Sequence, residues 1–205
     1  MNPRDEILNR LQQVQRDETL PPPWQSRRDF PELAARFRQA LTAVKGEVHQ
    51  VDSLAAAYDL TNQLLRQMAA EKVVVNDERP LPNLPRLPHI TYHQVGQEDE
   101  TLRAFCASAD AGLTSADAAL AETGTVILTS GPGKSRLASL LPPVHIALVP
   151  ITALTTDLFT WAASFNRQLP ANLNFISGPS KTADIEQTMA VGVHGPKRFI
   201  VILYA

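Results

Sequence analysis

The sequence predicts an α/β fold: a mostly parallel sheet flanked by helices, preceded by an N-terminal helical arm. Three observations point there. From about residue 46, short β-branched runs alternate with stretches whose apolar residues recur at helical spacing. A chain of 205 residues is long enough to bury a sizeable core. Ahead of that alternation, a proline cluster separates an amphipathic segment from the rest.

Taken in order, residues 3–16 place Ile7, Leu8, Leu11 and Val14 along one stripe of an otherwise polar helix. That stripe must bury against something. Pro21, Pro22 and Pro23 cannot continue a helix, because each lacks a backbone donor, so 20–24 reads as a linker. A second helix is expected at about 31–43, with Leu33, Phe37, Leu41 and Val44 in register. The chain therefore divides into an arm with its proline-rich linker at 1–45 and an α/β domain at 46–205.

Within the domain, strands are expected at 46–51, 72–75, 90–95, 111–115, 125–129, 145–149, 172–177 and 198–204. Helices are expected at 54–70, 99–108, 154–167 and about 182–191. The stretch 79–88 is too rich in proline for a central strand. This alternation favours a mostly parallel sheet, and it leaves strand order open.

Composition excludes several classes. Nineteen basic residues against 21 acidic ones give no broad attraction for nucleic acid or anionic membrane. The charged N-terminus lacks the apolar core of a secretory signal, and no apolar run approaches the roughly 20 residues of a membrane helix. A cytoplasmic location is expected. Cys106 is the single cysteine, so no internal disulfide and no cysteine-ligated cluster can form within the chain. The histidines show no metal-ligand spacing, so neither a metal nor another cofactor is expected.

Several segments carry candidate chemistry. Thr129-Ser-Gly-Pro-Gly-Lys-Ser135 follows a strand but is not a nucleotide-binding P-loop, since Leu128 stands where that motif needs its first glycine. Arg136 likewise replaces the third glycine of a dinucleotide fingerprint. Gly131, Gly133 and Lys134 therefore form either a structural turn or an anion-contacting rim. Glu122, in Ala121-Glu-Thr-Gly-Thr125, lies at the approach to a buried strand, where a carboxylate is costly unless solvated or paired. It is a candidate base, a ligand-hydroxyl acceptor or a surface turn residue.

In Gly178-Pro-Ser-Lys-Thr-Ala-Asp-Ile-Glu186, Ser180 or Thr182 would cap the expected helix, and Asp184 and Glu186 would complement its dipole. The same residues, with Lys181, are candidate ligand contacts. His194, in Gly192-Val-His-Gly-Pro196, carries an imidazole and is a candidate proton carrier or a structural turn residue. His145 is expected to begin a strand and pack against the core. Because each lies at a junction between elements, Glu122, Ser180, Asp184 and His194 are expected to meet in one cleft at the C-terminal edge of the sheet, rimmed by 131–135.

The blocks 121–125, 136–146, 178–186 and 192–196, taken together, resemble the LUD domain family, and their order and spacing are similar to its lactate-utilization protein C members. The resemblance covers about residues 46–205. It implies a fold similar to that of glucosamine-phosphate isomerase, ribose-phosphate isomerase and CoA-transferases. It also implies a non-redox subunit of a system that oxidises L-lactate to pyruvate, whose iron–sulfur clusters sit on partner subunits. Lys181 stands where the resemblance leads one to expect arginine; the charge persists, but bidentate carboxylate recognition would be lost. Two alternatives stay open. One is a stand-alone enzyme or binder of a CoA ester, sugar phosphate or folate-like molecule, with Glu122 as nucleophile or base. The other is a regulatory or scaffold protein.

Overall fold

The computed structural model describes residues 2–13, 24–96, 99–165, 170–183 and 189–205. Its helices are α1 (Pro3–Gln13), α2 (Leu33–Ala43), α3 (Leu54–Gln67), α4 (Asp99–Ser108), α5 (Leu137–Leu140) and α6 (Leu158–Ser164). The strands are β1 (Glu47–Val51), β2 (Lys72–Val75), β3 (Thr91–Gln94), β4 (Ala111–Ser115), β5 (Ala118–Leu120) and β6 (Thr125–Thr129). They continue with β7 (Val144–Pro150), β8 (Leu154–Thr155), β9 (Leu173–Ile176), β10 (Lys181–Ala183), β11 (Met189–Val191) and β12 (Arg198–Tyr204).

Six strands form one sheet in the order β1-β12-β7-β4-β2-β3, and each neighbouring pair is parallel. The central strands β7 and β12 are buried almost throughout, as expected of strands covered on both faces. On one face, Val73, Val75, Leu113, Ile146 and Ile200 pack against Leu64 and Leu65 of α3 and against Leu81, Leu84 and Leu87 of the proline-rich loop. Helix α3 starts where Ser53 accepts a hydrogen bond from the Ala56 amide, which satisfies one free donor of its first turn.

The opposite face is covered differently from expectation. Instead of helices alone, a second sheet in the order β8-β5-β6-β9 lies over it. Val126 and Leu128 of β6 meet Ala147, Val149, Phe199, Val201 and Leu203 of the main sheet. Helix α2 completes this layer: Phe37 and Leu41 are fully buried, each contributing about 2 kcal/mol by removal from water. Helix α4 covers Val74 with Leu102 and Cys106.

Most expected elements lie within a residue or two of their predicted bounds, and two are overturned. The helix expected at 154–167 is confined to α6. Leu154 and Thr155 pair with β5, and Asp157 then caps the helix by accepting from the Thr160 amide at 2.8 Å. At both described ends of the helix expected at 182–191, the chain forms an antiparallel ribbon of β10 and β11 instead, with Lys181 opposite Val191 and Ala183 opposite Met189. Ribbon pairing outcompetes the local helical pattern at those described residues, and Thr182 lies within β10, opposite Ala190. Strand β5 and helix α5 were too short to be seen as periodicity.

The apolar residues of α1 remain in water, with Ile7, Leu8 and Leu11 all exposed. Among the described residues, no helix is long and apolar enough to cross a membrane.

Candidate functional site

At the C-terminal edge of the main sheet, β2 ends in Asn76-Asp77-Glu78 and β4 leads to Asp117. The turn after β6 brings Lys134 between them. Its Nζ lies 3.0 Å from Glu78 Oε2 and 3.0 Å from Asp117 Oδ1. Glu78 Oε1 also accepts from the Ser115 amide at 3.0 Å and from Asn76 Nδ2 at 3.2 Å. Asp117 Oδ2 accepts from the amide and the hydroxyl of Thr129, both at 2.9 Å. Burial acts to lower the Lys134 pKa, but Glu78 and Asp117 outweigh it and hold the ammonium above the usual lysine range.

The glycine turn is tied to the same place. Gly131 and Lys134 exchange backbone hydrogen bonds, and the Asp77 amide donates to the Gly133 carbonyl at 2.7 Å. Gly133 has φ of +71°, and a Cβ there would lie 3.0 Å from the Asp77 carbonyl, so the position needs glycine twice over. Because Lys134 is already compensated by two carboxylates, the cluster of three charges is net negative. The geometry favours the structural turn over an anion cradle.

Beside this cluster a cavity of about 460 Å³ opens, lined by Asp117, Thr129, Lys134, Thr155, Trp161 and Phe165 among others. One wall is aromatic and another carries the lysine–carboxylate cluster, a composition suited to a ligand with one flat apolar part and a cationic or hydroxylated part.

Glu122 lies elsewhere. It occupies the tight turn between β5 and β6, with its carboxylate 2.9 Å from Arg28 Nε. Its amide donates to the Thr156 carbonyl at 2.9 Å, and its carbonyl accepts from Arg36 at 2.8 Å. Gly124, with φ of +65°, lets this turn press on α2; a Cβ there would fall 2.6 Å from Leu41 Cα. Next to Arg28, the buried Asp157 accepts from Ser26 Oγ as well as from the Thr160 amide. Burial acts to raise the Asp157 pKa, and the Ser26, Thr160 and Arg28 contacts overcome it, so the carboxyl stays below its usual value. Glu122 is thus a paired turn carboxylate and lines neither the cavity above nor the one below.

A second cavity, of about 310 Å³, opens at the opposite, N-terminal edge of the main sheet. Ser139, His145, Ser177, Ser180, His194 and Phe199 are among its lining residues. His145 is fully buried, stacks on Phe199 with centroids 5.0 Å apart, and shares a 2.8 Å hydrogen bond between Nε2 and Thr114 Oγ1. Burial pushes its imidazole down to about 3, so the ring is neutral near pH 7.

The expected single cleft is therefore divided. Ser180 and His194 share the N-terminal cavity; Gly131, Gly133 and Lys134 stand at the C-terminal edge; Glu122 belongs to neither. His145 pairs with Gly112 across the sheet whereas Glu78 reaches Ser115, which separates the two ends by about 10 Å along β4. Lys181 donates to the Val44 carbonyl at 2.7 Å, where a cation favourably meets the C-terminal end of α2. Asp184 and Glu186 lie outside the described residues. Sequence reasoning missed Glu78 and Asp117. The signal available was position: Val73-Val-Val-Asn-Asp-Glu78 puts three polar residues directly beyond an apolar strand.

Comparison with known proteins follows this geometry. A family model of the LUD domain matches residues 34–204. A protein named lactate utilization protein C from an Exiguobacterium species is 35% identical, over 99% of this chain and 98% of its own length. A protein of the same name from Halalkalibacterium halodurans is 38% identical, over 84% of this chain and 79% of its own length. Among solved structures, a DUF162 family protein from Deinococcus radiodurans is similar with a TM-score of 0.63, at 24% identity, over 84% of this chain and 96% of that one. At that identity the likeness is one of fold.

Proposed function

This chain belongs to the LUD domain family, and on that premise we propose that it serves lactate utilization as a subunit of a cytoplasmic system that oxidises L-lactate to pyruvate. The observation that carries this reading is the end-to-end likeness to a relative named lactate utilization protein C. In this reading the electrons pass through iron–sulfur partner subunits. The chain's one cysteine supports that division of labour, since Cys106 is fully buried and burial pushes its thiol up to about 11, far from the thiolate that a cluster needs. The exposed stripe Ile7, Leu8 and Leu11 on α1 supports a subunit role, because an isolated chain leaves it in water.

Deleting the gene in its host and growing the strain on lactate as sole carbon source tests the reading. Loss of growth, restored by the full chain, is expected, together with co-purification of cysteine-rich iron–sulfur proteins from lactate-grown cells. Normal growth of the deletion strain would sink it.

The cavity beside Lys134 and Trp161 supports a second reading, an enzyme or binder acting alone; of a CoA ester, a sugar phosphate and a folate-like molecule, the phosphorylated ligands fit its net-negative cluster poorly. Glu122 is paired with Arg28 and lies outside this cavity, so it is not placed to act as a base there. Turnover by the purified chain alone, without added partner proteins, would favour it.

A further inference from the structure

We propose that the N-terminal cavity holds a small organic acid, one of whose oxygens accepts a hydrogen bond from Nδ1 of the buried His145. Three observations lead there. First, His145 lines the cavity although its residue is wholly buried, and its Nδ1 has no partner among the described residues. An unpartnered polar atom in such a place is costly and calls for a hydrogen-bond partner.

Second, the hydrogen-bond inventory fixes which kind of atom the ligand presents. Thr114 is buried, and among the described residues His145 Nε2 is the one partner of its hydroxyl. If Nε2 carried the proton, the Thr114 hydrogen and the Nδ1 lone pair would both be stranded. With the hydroxyl donating to Nε2, Nδ1 carries the proton and a single donor is left over. That donor seeks an oxygen acceptor. The described lining residues include no carboxylate to repel an acid, while Ser139, Ser180 and His194 offer further polar contacts and Phe199, Pro179 and Pro196 an apolar wall.

Third, three of the four sequence blocks that resemble the LUD domain line this place. Ser139 and His145 come from one block, Gly178–Ser180 from another and His194–Pro196 from a third. The remaining block reaches it through a hydroxyl chain, Thr123 to Thr125 to Ser177, with both links at 2.6 Å and Ser177 on the cavity wall. The volume of about 310 Å³ lies at the small end of ligand cavities.

The lactate-utilization reading enters only in the choice of first probe, so the two can fail separately. Pyruvate, a branched-chain oxo acid and phenylpyruvate are titrated into the full-length chain by calorimetry, with nitrogen-edited NMR following the His145 ring. Saturable binding is expected for at least one acid, with a shift of the Nδ1 proton signal. His145→Phe keeps a ring and removes the donor, and should weaken binding about ten- to a hundredfold, the loss of one hydrogen bond to a charged acceptor. His145→Asn, which places an N–H near the Nδ1 position, should recover part of it. Should His145→Phe fail to fold, the NMR titration of the unaltered chain decides alone. Binding of none of the three acids, or binding that leaves the His145 ring unmoved, overturns the proposal, whatever the growth phenotype.

Discussion

The ammonium of Lys134 lies 3.0 Å from Glu78 and 3.0 Å from Asp117, joining a turn after β6 to the ends of β2 and β4. These three residues come from distant parts of the chain, and the bridge between them fastens the second sheet's turn to the main sheet. Glu78 is nearly buried, so its charge depends on Lys134 and on the Ser115 and Asn76 donors.

Lys134→Met should therefore leave two carboxylates uncompensated. The expected loss in urea unfolding is about 2–3 kcal/mol, below the usual figure for severing a fully buried pair because Lys134 keeps some contact with water. The double variant Lys134→Met/Glu78→Gln should regain part of that loss. A loss of similar size that the second substitution leaves unrecovered would show that the ammonium is not what balances Glu78.

His145 predicts a pH dependence. Its folded pKa, about 3, is below the ordinary value of 6.5, so the unfolded chain binds the extra proton between those values. Stability then falls as pH drops below about 6.5, by roughly 1.4 kcal/mol per pH unit from this residue. Unfolding measured between pH 6 and 4.5 should show a slope shallower by about that amount in His145→Phe than in the unaltered chain. Equal slopes would mean that His145 is solvated or protonated in the fold.

Asp157 acts in the same direction, in a more acidic window. Its folded pKa is depressed, so its contribution is present above the ordinary carboxylate value of 3.8 and is lost as pH falls through the folded value. Asp157→Ala removes both the cap of α6 and the partner of Ser26, at an expected cost of about 1–3 kcal/mol at pH 7. Asp157→Asn keeps the cap geometry and should cost less. Faster proteolysis confined to the α6 region would report the same loss locally.

The arm is expected to be separable. Deleting residues 1–22 removes α1, whose apolar stripe is exposed, and leaves α2 with Phe37 and Leu41 in the core. The truncated chain should keep a single cooperative unfolding transition at nearly the same urea midpoint. A broad or shifted transition would place α1 in the folding unit.

Strand and helix positions were legible wherever local pattern and tertiary contact agreed. The runs 72–75, 111–115, 125–129 and 198–204 coincide with strands, and 99–108 with a helix, because buried strands and an amphipathic helix each write their period into the sequence. Agreement failed at 182–183 and 189–191, where residues of good helical pattern pair as a ribbon instead. It failed also at 154–155, where two residues join β5 rather than starting α6.

The sequence by itself determined the α/β class, the single cysteine and the segments that carry chemistry, since these are properties of composition and short-range spacing, while four of those segments together carried the family resemblance. Which of those segments meet was decided only by the tertiary structure. Junction residues can lie at either edge of a parallel sheet, and strand order places them: Ser180 and His194 beside His145 at one edge, Lys134 with Glu78 and Asp117 at the other. Charges and lone pairs then take their chemistry from neighbours that no local pattern encodes. Arg28 pairs with Glu122 from 94 positions earlier in the chain, and the burial of His145 beneath Phe199 keeps its ring neutral.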